Sequence, residues 1–132
     1  MITAQDLLGI WTVVQEASSE SLDGQVAVAE VIQTRMRLKI QSDGTVEGTV
    51  LKPYQFSGWN TKDPNRIRSI RASRTNFLKA AISWFTAELT PNRLTDGATH
   101  YFNPDVVPEP AWARGIVPIR IIGHHKFYKL NG

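Results

Sequence analysis

Residues 24–35 read GQVAVAEVIQTR, and this stretch decides the fold that we expect for the chain. Between residues 25 and 38, small and branched side chains leave little room for water on most faces: Val26, Ala27, Val28, Ala29, Val31 and Ile32. A helix that is apolar nearly all round is normally central in its domain. We therefore predict a core helix over 25–38, capped by Ser21 or Asp23, against which the other elements pack.

An amphipathic helix is predicted before it, over residues 4–18. Thr3 followed by Asp6 is typical of a helix start, and apolar residues then recur at helical spacing: Leu7, Trp11, Val14 and Ala17. Glu16 lies near the end of this helix, where the helix dipole disfavours negative charge. Partial burial there would push its carboxyl toward the protonated form, which can donate a proton at neutral pH. Glu16 is therefore the candidate catalytic acid.

The remaining elements are sparser. A third helix is predicted from Ser69 or Ser73 to Leu89, stopped by Pro91. Its expected inner face consists of Phe77, Leu78, Ala81, Ile82, Phe85 and Leu89. Residues 45–50 alternate weakly, as in a short strand or extended segment, and the chain after residue 95 is expected to be irregular. A terminal hairpin of 117–122 and 126–130 would turn at Gly123 and His124. The fold class is α+β, mainly α.

Composition excludes several classes of function. The chain has 132 residues, enough for one domain over 1–132, and a net charge of +3, which favours anionic partners without naming one. It contains no cysteine, so thiol nucleophiles and disulfides are excluded. No apolar run is long enough to span a membrane. A nucleophile elbow, a phosphate-binding glycine loop and a His-Glu-x-x-His motif are also absent.

Two loops place aromatic rings beside amide and hydroxyl groups, at residues 54–60 and 100–104. Sugars have apolar faces and polar edges, so these loops suit a glycan, and they suit single-stranded nucleic acid almost as well. Phe56 and Phe102 could also simply close the core. A basic segment follows the first loop and is either a solvated face or a site for an anionic polymer: Lys62, Arg66, Arg68, Arg71, Arg74 and Lys79.

Other acids and the histidines offer further candidates. Glu20 and Glu30 are secondary acid candidates, although Glu20 could be a solvated turn acid and Glu30 could pair with Arg35 or with a backbone donor. Two histidines and an acid could hold zinc. Adjacent His124 and His125 in a strand would point to opposite faces, so at most one would join His100. We expect neither a metal nor another cofactor.

Six landmarks occur in order along residues 10–129: EASSE at 16–20, GQVAVAEVIQTR at 24–35, QFS at 55–57, GATHYFNP at 97–104, PAWA at 110–113 and GHHKFY at 123–128. With them the sequence resembles the SleB-like family of spore-cortex-lytic and cell wall hydrolases. Three positions depart from the family pattern: Ser18 and Ser19 replace arginine and glycine, and Thr34 replaces asparagine.

The resemblance implies one lysozyme-like catalytic domain, with helices around the central helix and a small β element. It implies cleavage of peptidoglycan between N-acetylmuramic acid and N-acetylglucosamine, as by a lytic transglycosylase, with Glu16 as the acid. The expected substrate-binding residues are Gln55, Phe56, Ser57, Tyr101, Asn103, Trp112 and His125. A hydrolytic muramidase, a zinc amidase, and a non-catalytic wall-binding or nucleic-acid-binding module remain the alternatives.

We expect glycan strands of peptidoglycan as the partner, no nucleic acid, and a monomer. The first residues, MITAQDLLGIWTVVQE, lack the basic head and apolar block of a signal peptide. We therefore expect synthesis in the cytoplasm and action on the cell wall, as for a phage endolysin or a virion-associated enzyme.

Overall fold

A computed structural model of the protein describes residues 1–52, 55, 56, 59 and 73–131. Within these residues the helices are α1 (Ala4–Ala17), α2 (Leu22–Leu38), α3 (Val46–Val50) and α4 (Arg74–Leu89), with a short 3-10 helix at Ala111–Ala113. The strands are β1 (His100–Phe102), β2 (Arg120–Ile122) and β3 (His125–Tyr128). They form an antiparallel sheet in the order β1-β3-β2. The fold is thus mainly helical with a small sheet, as predicted.

Helix α2 is the centre of the domain. Every residue from Gly24 to Arg35 is buried, and the helix packs against α1, α3, α4 and the sheet. Ser21, one of the two predicted caps, begins the helix by accepting a hydrogen bond from the Gly24 amide at 3.2 Å. It ends at Leu38, and the C-cap residue Lys39 adopts a left-handed conformation. The prediction of a central apolar helix is confirmed.

Helix α1 also follows its sequence signals. The Thr3 side chain accepts from the Asp6 amide, and the Asp6 carboxylate accepts from the Thr3 amide, so the two residues form a capping box. None of the helices within the described ranges is long and apolar enough to cross a bilayer. Ser57 and the basic residues Lys62, Arg66, Arg68 and Arg71 lie outside the described residues.

Two predictions of local structure are wrong. Residues 46–50 form the short helix α3 instead of a strand, because the Thr45 side chain caps the Gly48 amide at 2.9 Å. Val46 and Val50, one helical turn apart, are then both buried in the core. Residues 100–102, expected to be irregular, form β1, which pairs with β3 of the predicted terminal hairpin.

The inner face predicted for α4 is also wrong in part. Ala81 is buried, whereas Leu78, Ile82 and Leu89 are exposed. The buried face instead carries small residues and Trp84. The Trp84 ring lies over Gly9 of α1, and its indole N–H donates to the Asp6 carboxylate at 3.2 Å. Close contact between helices therefore selected small side chains where the sequence pattern suggested large ones.

The contact between α1 and α4 predicts a costly Gly9→Ala substitution. An added Cβ would lie 2.5 Å from the Trp84 ring. Overpacking of this kind costs roughly 1–3 kcal/mol, which exceeds the roughly 1 kcal/mol that alanine gains over glycine in a helix. We expect a lower free energy of unfolding in urea titrations. Leu89→Ala is the control, because Leu89 is 83% exposed and its loss should change stability by about 0.5 kcal/mol or less. A Gly9→Ala protein more stable than the wild type would contradict this packing.

Candidate active site

A cavity of about 570 Å³ lies between the end of α1 and the sheet. Its polar wall comes from the last turns of α1 and the turn after it, and its other wall from β1, the loop after β1, the 3-10 helix and β3. The lining residues are Gln15, Glu16, Ser19, Gln55, Tyr101, Phe102, Asn103, Val106, Val107, Pro110, Trp112 and His125. Six of the site residues predicted from the sequence are thus brought together.

Glu16 is half-buried in this cavity, near the end of α1. The Tyr101 hydroxyl donates a hydrogen bond to Glu16 Oε1. Burial, followed by the charge and the hydrogen bond of Glu16, raises the pKa of Tyr101 well above its usual value. Tyr101 is therefore a permanent donor to the Glu16 carboxyl at any working pH.

A buried cation, Arg35 of α2, lies behind this pair. The side chain is only 6% exposed, and its Nε donates to the Thr99 carbonyl at 2.7 Å. Its Nη1 donates to Gln55 Oε1 at 3.3 Å, and the guanidinium carbon lies 5.5 Å from the centre of the Phe56 ring. Burial lowers the pKa of Arg35, while the negative charge of Glu16 opposes that shift. An arginine stays charged in such a setting.

Glu20 and Glu30 are buried but do not line the cavity. Glu30 accepts hydrogen bonds from the amides of Leu94 and Thr95 and from the Thr95 hydroxyl, so its partners are backbone donors and a hydroxyl group rather than Arg35. The expectation that Glu20 is a solvated turn acid is wrong, because the residue is only 3% exposed. The described lining of the cavity therefore includes neither of these secondary acid candidates.

Glu20 instead joins the α1–α2 turn to the β2–β3 turn. Its Oε1 accepts from the His124 amide at 2.9 Å, and its Oε2 lies 2.6 Å from His124 Nδ1. His125 Nδ1 lies 3.6 Å from Oε1. Burial alone would raise the pKa of Glu20, but the hydrogen bonds of His124 and the charges of both histidines outweigh it and lower that pKa. The hydrogen bond and charge of Glu20 raise the pKa of His124.

The two adjacent histidines do not point to opposite faces as predicted, since both Nδ1 atoms turn toward Glu20. The reason is that His124 belongs to the turn and only His125 lies in β3. The His125 ring contacts Tyr101 edge-on at 5.1 Å and lines the cavity. Among the described residues, no group of three or more His, Asp or Glu side chains is arranged to hold a metal ion.

Sequence reasoning placed some residues well and missed others. Phe56, predicted to bind substrate, is 2% exposed and supports Arg35 rather than lining the cavity. Ser57 lies outside the described residues. Gln15 and Ser19 line the cavity but were not predicted to do so. Arg35 was considered only as a partner of Glu30, although a charged residue inside an apolar helix was a signal that it serves a buried acceptor.

The sequence model of the cell wall hydrolase family matches residues 19–128. The chain belongs to this family. Among curated proteins, the spore cortex-lytic enzyme of Bacillus subtilis (strain 168) is 32% identical over 116 residues, which cover 85% of this chain and 33% of that enzyme. The chain thus spans about a third of the length of that relative. Glu16 lies just before the residues that the family model matches. Its assignment as the candidate catalytic acid therefore depends on the geometry of the cavity.

Two solved structures share the fold of this cell wall hydrolase family member. One is the catalytic domain of the germination-specific lytic transglycosylase SleB from Bacillus anthracis, with a TM-score of 0.71, 27% identity, and 96% of each chain covered. The other is the catalytic domain of the Bacillus cereus SleB protein, with a TM-score of 0.72 and 26% identity over 98% of this chain and 93% of that one. The predicted SleB-like resemblance is confirmed.

The ion pair of Glu20 and His124 predicts a pH window of greatest stability. The pKa of His124 is raised on folding, so its contribution is complete below the ordinary value of 6.5 and is lost as the pH rises through the raised pKa. The pKa of Glu20 is lowered, so its contribution is complete above 4.5 and is lost as the pH falls through the lowered pKa. We expect His124→Ala to lower the Tm most between these two values. The measurement is thermal unfolding across pH.

The effect should be modest, since the His124 side chain is 61% exposed. As the pH rises through the raised pKa the imidazole loses its charge, so the Tm difference from the wild type should shrink. Lys129→Ala is the control, because Lys129 is exposed on the same terminal segment and should show no such window. A Tm difference that is equal at all pH values would refute a role for this ion pair.

Proposed function

We propose that residues 1–132 form one catalytic domain that cleaves peptidoglycan between N-acetylmuramic acid and N-acetylglucosamine as a lytic transglycosylase. The observation that carries this proposal is the half-buried Glu16 carboxyl in the cavity, bonded to Tyr101. Similarity to the catalytic domain of a lytic transglycosylase over 96% of both chains supports it. The family and the fold make the glycan strand the expected substrate.

The number of carboxylic acids favours a transglycosylase over a hydrolase. Among the described residues that line the cavity, Glu16 is the single acid. A hydrolase of the usual kind needs a second carboxylate, either to attack the sugar or to activate water. A transglycosylase needs none, because the attacking group belongs to the substrate. The cavity therefore suits an intramolecular reaction of the muramic acid residue.

In the proposed reaction, Glu16 donates its proton to the glycosidic oxygen as the bond to the anomeric carbon breaks. The N-acetylglucosamine then leaves with a free 4-hydroxyl. The 6-hydroxyl of the same muramic acid attacks the anomeric carbon and gives its proton to the Glu16 carboxylate. The product carries a 1,6-anhydro ring, and Glu16 is protonated again. No water is consumed, and the Tyr101 hydroxyl stabilises the carboxylate that exists between the two transfers.

The two walls of the cavity suit an amino sugar. Gln55 and Asn103 supply amide groups that can bond to hydroxyl and N-acetyl groups, while Trp112, Val106 and Val107 supply an apolar surface for sugar faces and methyl groups. We propose that these residues bind the glycan and that His125 holds the Tyr101 ring in place. Action as a phage endolysin, and the monomeric state, stay predictions of the sequence.

Glu16→Gln tests the proposed acid. The amide cannot donate a proton to the leaving oxygen, so we expect turbidity clearing of purified peptidoglycan to fall by about 10² or more. The fold should be retained, because glutamine still accepts from Tyr101. Glu47→Gln is the matched control, since Glu47 is exposed on α3 and should leave clearing unchanged. Equal clearing by Glu16→Gln and the wild type would remove Glu16 from the mechanism.

Mass spectrometry of the released fragments tests the type of reaction. An anhydro end is lighter than a reducing end by one water, so the two products are separated directly. We expect anhydro ends from the wild type. Reducing ends would show a hydrolytic muramidase, and fragments cut between the lactyl group and the peptide would show an amidase. Binding without fragments would indicate a wall-binding module.

A further inference from the structure

We propose that Arg35 is a positioning residue whose buried positive charge makes Glu16 a stronger acid and steadies the carboxylate formed when Glu16 gives up its proton. This inference depends on the proposed role of Glu16. The lining of the cavity does not indicate this role, because Arg35 lies behind the wall and is not among the lining residues. The proposal is supported by the contacts that hold the Arg35 guanidinium behind the cavity wall.

The guanidinium is held from three directions. The Thr99 carbonyl accepts from Nε at 2.7 Å, and Thr99 lies two residues before Tyr101 on the chain. Gln55, which lines the cavity, accepts from Nη1 at 3.3 Å. The Phe56 ring covers one side at 5.5 Å. A guanidinium group held by these contacts cannot rotate out into solvent. Its positive charge therefore stays beside the site.

The charge of Arg35 acts on the cavity residues around it. Burial lowers the pKa of Arg35, and the negative charge of Glu16 opposes that shift. His100, next to Tyr101 on β1, shows the same field, because burial and then the charge of Arg35 lower its pKa to about 4. His100 is therefore neutral at working pH and adds no second cation. The buried guanidinium therefore supplies a positive charge beside the cavity that does not titrate in this range.

The other titratable groups around Glu16 make the expected direction clear. On β1, Tyr101 donates to Glu16 and stays protonated. On β3, burial lowers the pKa of His125, so that ring is harder to protonate than a solvated histidine. Glu20 Oε2 lies 2.6 Å from His124 Nδ1, and this carboxylate raises the pKa of His124. Burial of Glu16 favours its neutral form, whereas Arg35 and the Tyr101 donor favour its ionised form. Removing Arg35 should therefore raise the affinity of Glu16 for its proton.

The experiment replaces Arg35 by glutamine and follows Glu16 directly. Carbon-detected NMR of the Glu16 Cδ against pH gives its titration midpoint without any substrate. Loss of the guanidinium charge should raise the midpoint, and we expect a rise of about one unit, which is a tenfold change in proton affinity. Arg35→Lys retains the charge and should recover at least half of that shift.

Two comparisons isolate the charge from the packing. Arg37→Gln is the matched control on the same helix, because Arg37 donates to Thr34 and Asn92 away from the cavity. Its Glu16 midpoint should stay at the wild-type value. Should Arg35→Gln fail to fold, citrulline in place of Arg35 retains the shape and the donors to Thr99 and Gln55 and removes only the charge. A midpoint that is unchanged or lower in a folded charge-free variant overturns the proposal.

Kinetics supply the second readout. The alkaline limb of the pH–kcat profile should move to higher pH with the NMR midpoint, and kcat at the optimum should fall by roughly three- to tenfold because a weaker acid transfers its proton more slowly. In the citrulline variant, which retains the donor to Gln55, KM should change little, since Arg35 does not line the cavity. A large rise in KM with unchanged kcat would show a binding role and overturn the proposal. An inactive wild type with a shifted Glu16 midpoint would refute the proposed function and leave the charge effect established.

Discussion

The geometry of the site depends on one buried carboxylate, that of Glu20. It joins the turn after α1, which carries Glu16, to the hairpin turn that precedes β3, which carries His125. The contact is so close that a Cβ at Gly123 would lie 2.3 Å from Glu20 Oε1, and a Cβ at Gly24 would lie 2.8 Å from its Cβ. Gly123 also has a φ of +58°, a conformation that glycine adopts without strain. The contact of Glu20 with the two turns therefore requires glycine at both positions.

Three buried charged side chains in the centre of the molecule have different hydrogen-bond partners. These partners distinguish the residues with a structural role from the one that we propose acts on the catalytic acid. Glu30 is saturated by backbone amides and a hydroxyl, so it fixes the loop after α4 and has no capacity left for a reaction. Glu20 is paired with histidines and an amide. Arg35 is bonded to neutral acceptors, the Thr99 carbonyl and the Gln55 amide. Because those acceptors carry no charge, the field of Arg35 remains available to Glu16.

The sequence predicted what local pattern controls and missed what tertiary contact controls. The caps at Thr3 and Ser21 and the burial of α2 follow from side chains close in sequence, and the structure has them as predicted. The inner face predicted for α4 was wrong in part. Close contact with Gly9 and burial of Trp84 determine which side of the helix faces the core, and the larger apolar residues do not. At the site, the resemblance and the aromatic loops indicated six lining residues.

The contacts of Arg35 and Glu20 could not be predicted in the same way. Arg35 reaches Thr99 across 64 positions of the chain, and Glu20 reaches His124 across 104. The periodicity of apolar residues in a sequence cannot predict a contact between residues so far apart. What the sequence did contain was an anomaly, a full charge inside an apolar helix, and burial of an unsatisfied charge is too costly to occur without partners. Such a residue should be treated as a candidate for a site even when its partner is unknown.

A single acid that must both give and regain its proton works under a constraint that a pair of acids avoids. If the cavity favoured the neutral form strongly, Glu16 would hold its proton too tightly to give it up, and if it favoured the ion strongly, Glu16 would be too weak a base for the second transfer. The described surroundings contain opposing influences, with burial on one side and Tyr101 and Arg35 on the other. Tyr101 can keep its hydrogen bond in both states, since an oxygen of either the acid or the carboxylate can accept it. The protein environment therefore needs little rearrangement between the two proton transfers, which is the condition under which one carboxyl group can serve both steps.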